Sequence, residues 1–371
     1  MRVTGKMIRL KLLDNMQSAM QKLQLAQTQM ATGKRILKPS DDPLAISKAL
    51  GLRTLFADDQ QYLRNIEDAL DWIDNTEPVV DGIVSVITEL KEIAIEGASD
   101  TKSEHERSIL AQQVEGLIDR LVGLANTQYA GKYVFAGTYT LTLPYSLQNS
   151  VTGETAVFPD LEWVDMGHAK IVQGAAIVTG PMGEVYVEGV DYEIDHALGR
   201  IRRLGGGSMV PGDTYTIAYE TETTSSVNLN VPDTAGRIKR EVAPGMHEGI
   251  NTGGQEILAS GTDIFALLIS VKNSLFRNQG IDVNQALDEI EAALEQVTTV
   301  LGSHGIRHNT FELARARLES EMVNLQALVS QLEDADLAEV MVRFETEQMA
   351  YESALAAASQ IMNTSLVNFI R

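Results

Sequence analysis

Residues 337–369 read LAEVMVRFETEQMAYESALAAASQIMNTSLVNF, and the spacing of their apolar side chains decides the architecture. Leu337, Met341, Phe344, Gln348, Tyr351, Leu355, Ala358, Met362, Ser365 and Phe369 follow one another at alternating intervals of four and three. That is a heptad repeat, which lays one face of a helix along a partner for its whole length. As a single helix the stretch spans ~50 Å. A matching seam lies at the other end of the chain, where Leu12, Met16, Ala19, Leu23, Ala26 and Met30 keep the same alternation. The two ends also differ in charge. Residues 1–38 carry eight basic groups against a single acid, Asp14, whereas residues 332–352 carry seven acids against Arg343 alone. Two terminal helices of opposite charge and equal period are expected to pair, as a hairpin-like rod whose termini meet at one end.

Both seams are thin, with Ala19, Ala26, Gln348, Ala358 and Ser365 at core positions. So little large apolar surface makes a lone pair marginal. Such ends are expected to order against other copies, with fast amide exchange in 1–40 and 335–371 of the monomer and slow exchange in 104–125. The methionines Met7, Met16, Met20 and Met30 on a helix with little else to bury point the same way.

Working inward, the helical period persists through most of the chain. It breaks at Thr32-Gly33 and restarts at Ser40-Asp41-Asp42-Pro43, where an Asp can cap a helix that begins with Pro. Amphipathic faces follow at Leu63, Ile66, Leu70 and Ile73, then at Ile83, Ile87, Leu90 and Ala94, then at Leu110, Val114, Leu117, Leu121 and Leu124. Between about 138 and 251 the period becomes two. Val190, Tyr192 and Ile194 alternate with acids, Tyr215, Ile217 and Tyr219 with Thr216 and Ala218, and Val227, Leu229 and Val231 with asparagines. After Gly253-Gly254 the helical period returns at Ile264, Leu268, Val271 and Leu275, then at Leu287, Ile290, Leu294, Val297 and Leu301. A further helix is expected over about 306–333. The predicted fold is therefore multidomain and mainly α: terminal heptad helices (1–42 with 336–371), an elongated helical bundle (43–137 with 252–335), and an inserted all-β domain (138–251) at the outer end.

Composition excludes several classes. The chain of 371 residues has a formal charge of −21, so it lacks the excess of Lys and Arg that displaces counterions from nucleic acid. Asp14, Asn15, Gln17 and Ser18 stand where a signal peptide needs its apolar centre, and no run of ~18 apolar residues predicts a membrane span. With no cysteine, disulfides, thiol catalysis and Cys-ligated zinc are absent together. Aromatics are 5% of residues, which suits helix bundles better than an aromatic-lined pocket.

Patterns that carry chemistry all fail on inspection. His304, His308 and Glu312 share a helix face, but Gly302 and Gly305 are expected to break the helix and no acid completes a zincin motif. Asp41-Asp42 reads as capping, and Gly205-Gly206-Gly207 reads as a turn, since it lacks the Lys-Ser/Thr of a phosphate loop. Asp334-Ala335-Asp336 lacks the central Gly and terminal Glu of a calcium loop, and His247-Glu248 lacks a second His. No catalytic residue, metal or cofactor is expected.

Three stretches carry a family resemblance. Residues 33–50, GKRILKPSDDPLAISKAL, resemble the amino-terminal segment of the flagellin superfamily, through Gly33, Arg35, Pro39, Ser40, Asp41, Asp42 and Pro43. Lys38 through Pro43 is more similar to its hook-filament junction branch than to filament subunits. Asn126, Gly131, Tyr133, Phe135 and Gly137 resemble that branch's entry into an outer domain, and Asp336 and Glu339 belong to a stretch, Asp334–Glu339, similar to the flagellin carboxyl-terminal helix. The start lacks the Ile-Asn-Thr-Asn typical of flagellins, and Arg307-His308-Asn309 stands where they often show Asn-Arg. The β insertion is unmatched.

The resemblance implies a structural subunit, exported unfolded through the flagellar type III pathway, that joins hook to filament outside the cell. Its implied partners are other copies of itself, the adjacent hook-associated junction protein and flagellin, with an export chaperone covering the carboxyl-terminal helix beforehand. Nucleic acid and membrane insertion are not expected. Two alternatives stay open: a filament subunit, or a module whose β insertion binds a surface.

Overall fold

A computed structural model describes residues 5–369, and side chains throughout that range except at 5, 6, 8, 9, 280–284 and 360–369. Among the described residues the chain opens with helices α1 (Gly5–Thr32), α2 (Pro43–Gly97) and α3 (Glu104–Ala125). Short strands follow: β1 (Gln128–Tyr129), β2 (Lys132–Tyr133), β3 (Tyr145–Gln148), β4 (Ser150–Val157), β5 (Val164–Asp165), β6 (Ile177–Thr179) and β7 (Val185–Tyr186). The strand region continues with β8 (Tyr192–Asp195), β9 (Arg200–Arg203), β10 (Thr214–Glu220), β11 (Ser226–Leu229), β12 (Lys239–Ala243) and β13 (Met246–Gly249). The helices α4 (Gly254–Leu258), α5 (Ile264–Phe276), α6 (Gly280–Glu333) and α7 (Leu337–Phe369) complete it. The mainly α fold with terminal helices and a β-rich centre matches the expectation from periodicity.

The chain forms two compact units, one of Met1–Leu63 with Arg315–Arg371 and one of Arg64–Ala314. In the first, α1 and α7 run antiparallel: Lys34 bridges to Asp334, and further along Lys22 approaches Glu347 at 3.8 Å. The opposite charges read from the sequence are thus brought together.

Two helices are longer than the sequence suggests. The faces at Leu63–Ile73 and Ile83–Ala94 belong to one 55-residue helix that continues through Pro78. Proline there removes a helix hydrogen bond. In the turn before it, the Asn75 amide and the Thr76 hydroxyl donate to the carbonyls of Asp71 and Trp72 at 2.7 and 2.6 Å. Likewise α6 runs unbroken across Gly302 and Gly305, so the expected break at these glycines and the helix start near 306 are both corrected. Glycine costs a helix interior about 1 kcal/mol relative to Ala. Burial of Val297, Val300 and Phe311 on the same stretch outweighs that cost.

The second unit holds the main core. Ile83, Ile87 and Leu90 of α2, Val114, Ile118 and Leu121 of α3, and Leu268 and Val271 of α5 are fully buried, with Ile290 and Val297 of α6 beside them. Capping fixes where these helices start. Ser103 and Glu106 form a reciprocal capping box at α3, and the Asp263 carboxylate accepts from Ala266 N–H at 3.0 Å at α5. A separate core built on Phe158, Val178, Tyr192, Ile201, Tyr215 and Ile217 lies between a four-stranded sheet, ordered β4-β10-β6-β7, and a three-stranded sheet, β5-β9-β8.

The strand region is tied to the bundle through Thr224, which bonds both partners of an ion pair whose lysine is buried. Lys272 of α5, fully buried, donates to Glu115 of α3 at 2.9 Å and to the Thr224 carbonyl. Glu115 also accepts from the Thr224 N–H and hydroxyl, each at 2.7 Å. Burial pushes the Glu115 carboxyl up, but the Lys272 ammonium and the Thr224 donors outweigh it and hold the group below its usual range.

Candidate assembly surface

The turn from α1 to α2 is built by the quoted motif. Gly33 takes φ +67°, a left-handed conformation that ends α1 at low cost. The chain then pairs with the α6–α7 link: Arg35 N–H donates to the Glu333 carbonyl at 2.7 Å, and Ala335 N–H to the Gly33 carbonyl at 2.9 Å. Side chains reinforce the crossing. Lys34 reaches Asp334 at 2.6 Å, Arg53 reaches Glu333 at 2.5 Å, and Arg35 donates to the Leu332 carbonyl at 2.7 Å. The hydrogen bond from Lys34, with a second from Ser330, holds the Asp334 carboxyl below its usual range.

The paired aspartates divide the capping. Asp41 accepts from Leu37 and Lys38 N–H at 3.0 and 2.8 Å, closing the loop that contains Pro39 and Ser40. Asp42 accepts from Ala45 N–H at 3.0 Å and caps α2 ahead of Pro43. Asp336 caps α7 through Ala338 and Glu339 N–H at 2.9 and 3.2 Å, while the Glu339 side chain pairs with Arg343.

The seams fall as follows. Leu12, Met16, Ala19 and Leu23 are half-buried and Ala26 is buried, so α1 turns this stripe inward. At its end Gln29 takes the buried place, donating to the Arg35 carbonyl at 2.8 Å, while Met30 is exposed. On α7 the inward stripe is Val340, Phe344, Glu347, Tyr351, Ala354 and Ala358. Phe344, Tyr351 and Ala358 belong to the sequence-predicted seam, whereas Leu337, Met341 and Leu355 lie on its flank, 56%, 54% and 47% exposed. The side chains of Met362 and Phe369 lie outside the described residues. Apolar character on α7 is thus wider than one helix covers. Gln29, Val340, Glu347 and Ala354 were missed because a heptad count alone cannot choose between adjacent stripes that share every other residue.

The second motif secures the strand region. Ala130 and Gly131 both have positive φ in the two-residue turn joining β1 to β2. The Asn126 side chain holds Tyr145 from both sides, donating to its carbonyl at 2.9 Å and accepting its N–H at 3.0 Å. Phe135 is fully buried, and Gly137 at φ +61° lies so close to the returning chain that a Cβ would meet Thr234 at 3.0 Å.

The histidines are not gathered. His304 is buried against the Thr252 hydroxyl at 2.5 Å, and His308 pairs with Asp74 at 3.3 Å. Burial, with Arg307 and Arg237 nearby, lowers His304 to about 4. Among the described residues no cluster of three His, Cys, Asp or Glu is placed to hold a metal, and no helix is long and apolar enough to cross a membrane.

Comparison with known proteins agrees with this geometry. Residues 3–140 match the model of the bacterial flagellin N-terminal helical region and residues 287–370 that of the C-terminal helical region. Flagellar hook-associated protein 3 of Escherichia coli is 38% identical over 119 residues, and that of Salmonella typhimurium 36% over 118. Each match covers 32% of this chain and spans 38% and 37% of those relatives' lengths. Polar flagellin F of Vibrio parahaemolyticus is 22% identical with 94% of both chains covered. A putative flagellar hook-associated protein from Vibrio parahaemolyticus has the same fold, with a TM-score of 0.51 at 18% identity over 79% of this chain and all of that one. With both helical regions matched, together more than half of its length, the chain belongs to the bacterial flagellin family.

Proposed function

We propose that the protein is a structural subunit of the bacterial flagellum that joins the hook to the flagellin filament through its terminal helices. The observation that carries this is the surplus apolar flank of α7. Leu337, Met341, Met349 and Leu355 stay exposed after α1 has taken its stripe, so the pair has more apolar surface than it buries. Exposed apolar surface of this kind stabilises contact with another molecule. Residues 1–42 with 336–371 then act as the assembly domain, 43–137 with 252–335 as the helical bundle, and 138–251 as an inserted β domain.

The partners are further copies of the chain, the adjacent hook-associated junction protein and flagellin. The similarity to hook-associated protein 3 supports the adaptor role over that of a filament subunit. An export chaperone covers the flank of α7 before secretion, since it would otherwise self-associate. Export by the flagellar pathway to the cell exterior needs no oxidative folding, in keeping with a chain without cysteine.

Seeded growth tests the proposal. Purified protein is added to hooks and to sheared filaments and imaged by electron microscopy. A short collar on hooks, with no filament growth, is the expected result; indefinite lengthening of filaments makes the protein a flagellin instead.

A further inference from the structure

The four-stranded sheet turns one side to its core, through Tyr215, Ile217 and Val178, and the alternate residues to solvent. Across the outer side, Thr155, Thr216, Thr179 and Val185 stand in one row of register. Beside them Ile177 is 54%, Val185 64% and Val187 57% exposed, and Met182, at the tip of the β6–β7 hairpin, is 95% exposed. Among the described residues, the outward positions of these strands carry no charge except at one corner, where Glu220 ends β10 opposite Ser150. In a chain that is 22% charged, with a net charge of −21, that is unusual. The face also ends on β7, an edge strand of two residues. At the hairpin tip beyond it Met182 is exposed beside Glu184, whose carboxylate accepts the Met182 N–H at 3.0 Å.

A second exposed apolar stretch lies elsewhere in the same unit, with Lys132 at its margin, where Tyr133 N–H bonds the Thr140 carbonyl at 2.8 Å. No charged residue occurs from Tyr133 to Gly153. That stretch exposes Tyr139, Leu141 and Leu143, with Leu229 of β11 close by, since Asn230 N–H bonds the Pro144 carbonyl at 2.8 Å. Leu141 is 81% exposed.

The charge pattern selects the occupant. A basic partner would be drawn to the acidic surface, and an anionic lipid surface would need a basic patch. Two copies of a chain this acidic repel, and they come together at least cost where both are uncharged. Because the two surfaces differ, the contact is head-to-tail, and it repeats from copy to copy. We propose that the outer face of the four-stranded sheet docks on the 139–143 segment of a neighbouring copy, as a contact between β regions. This rests on the chain acting as a repeating subunit, but it lies on different residues from the terminal helices.

The absence of cysteine makes the test clean. Full-length chains carrying Leu141→Cys, Val185→Cys, or both are oxidised, once as collars on hooks and once in concentrated solution. The double variant is expected to give a ladder of cross-linked copies, and each single variant is expected to remain monomeric. In the double background, Ile177→Glu lowers the yield by about tenfold, as like charge enters the contact. Met182→Glu, at a tip where no packing is lost, does the same should Ile177→Glu fail to fold. No ladder in either setting, dimers from Val185→Cys alone, or a yield indifferent to Met182→Glu overturns the proposal. A ladder in solution without collars on hooks sinks the junction role while supporting this contact.

Discussion

The two units of this protein solve burial differently. In Arg64–Ala314 the helices close on Ile83, Val114, Leu121, Leu268 and Val297, large side chains removed entirely or nearly so from water. In the other unit, the buried apolar side chains among the described residues are Ala26, Ile36, Ala45, Ala49, Leu318, Leu325 and Val340. Three of these are alanines, and the stripe between α1 and α7 also admits Gln29 and Glu347. Burial of a Leu or Ile side chain contributes about 2 kcal/mol, and an Ala far less. The comparison teaches that stability is concentrated in one unit, while the other keeps its apolar surface for contacts it cannot make within one chain.

The largest expected contrast is in amide exchange of the monomer. Protection in α3 should exceed that in 10–32 and 337–359 by several kcal/mol of opening free energy, on the order of a thousandfold in rate. Equal protection in both would break the comparison. Core truncation sharpens it. Leu268→Ala should cost roughly 3–5 kcal/mol in denaturant unfolding, whereas half-buried Leu23→Ala should cost about 1 kcal/mol or less yet impair collar formation.

A pH scan between neutrality and 4 addresses the second unit through His304. His304 is held neutral by burial and by two nearby arginines, with its value lowered from 6.5 to about 4. A group lowered in the folded state is protonated more readily when unfolded. Its stabilising effect is therefore present above pH 6.5, is lost as pH falls toward 4, and amounts to roughly 3 kcal/mol. Replacing His304 by Gln should flatten unfolding free energy across that window. Glu115, also lowered, adds loss that begins in the usual carboxylate range, where the unfolded chain takes up the proton first, and continues below it.

Smaller effects come from the motif residues. Gly137→Ala combines positive φ with a Cβ at 3.0 Å from Thr234, and should destabilise by about 1–2 kcal/mol in calorimetry. Arg53→Ala removes an ion pair to Glu333 whose arginine is 55% exposed, so it should cost less than about 1 kcal/mol and matter less at high salt.

Much of this was legible in the residues. Each zone declared itself by its period, because exposure to one core face per turn or per alternate residue leaves a mark that needs no partner to be read. The Asp42-Pro43 start, the Gly33 stop and the opposite charges of the two ends were readable for the same reason: each acts within a few residues or through net charge alone. The candidate surface was half legible. The α1 stripe from Leu12 to Ala26 faces inward as read, whereas on α7 the count selected Leu337, Met341 and Leu355, which stay exposed.

The amino-acid sequence by itself determined that helical ends flank a β-rich centre and which faces are apolar. Only the tertiary structure decided which apolar stripe of α7 meets α1, that α2 continues through Pro78 and α6 through Gly302 and Gly305, and that Lys272 is fully buried beside Glu115. The reason is one of magnitude. Local breakers cost about 1 kcal/mol for a glycine and about 3 for a proline. Each is outweighed by a few buried side chains, and what buries them comes from distant parts of the chain.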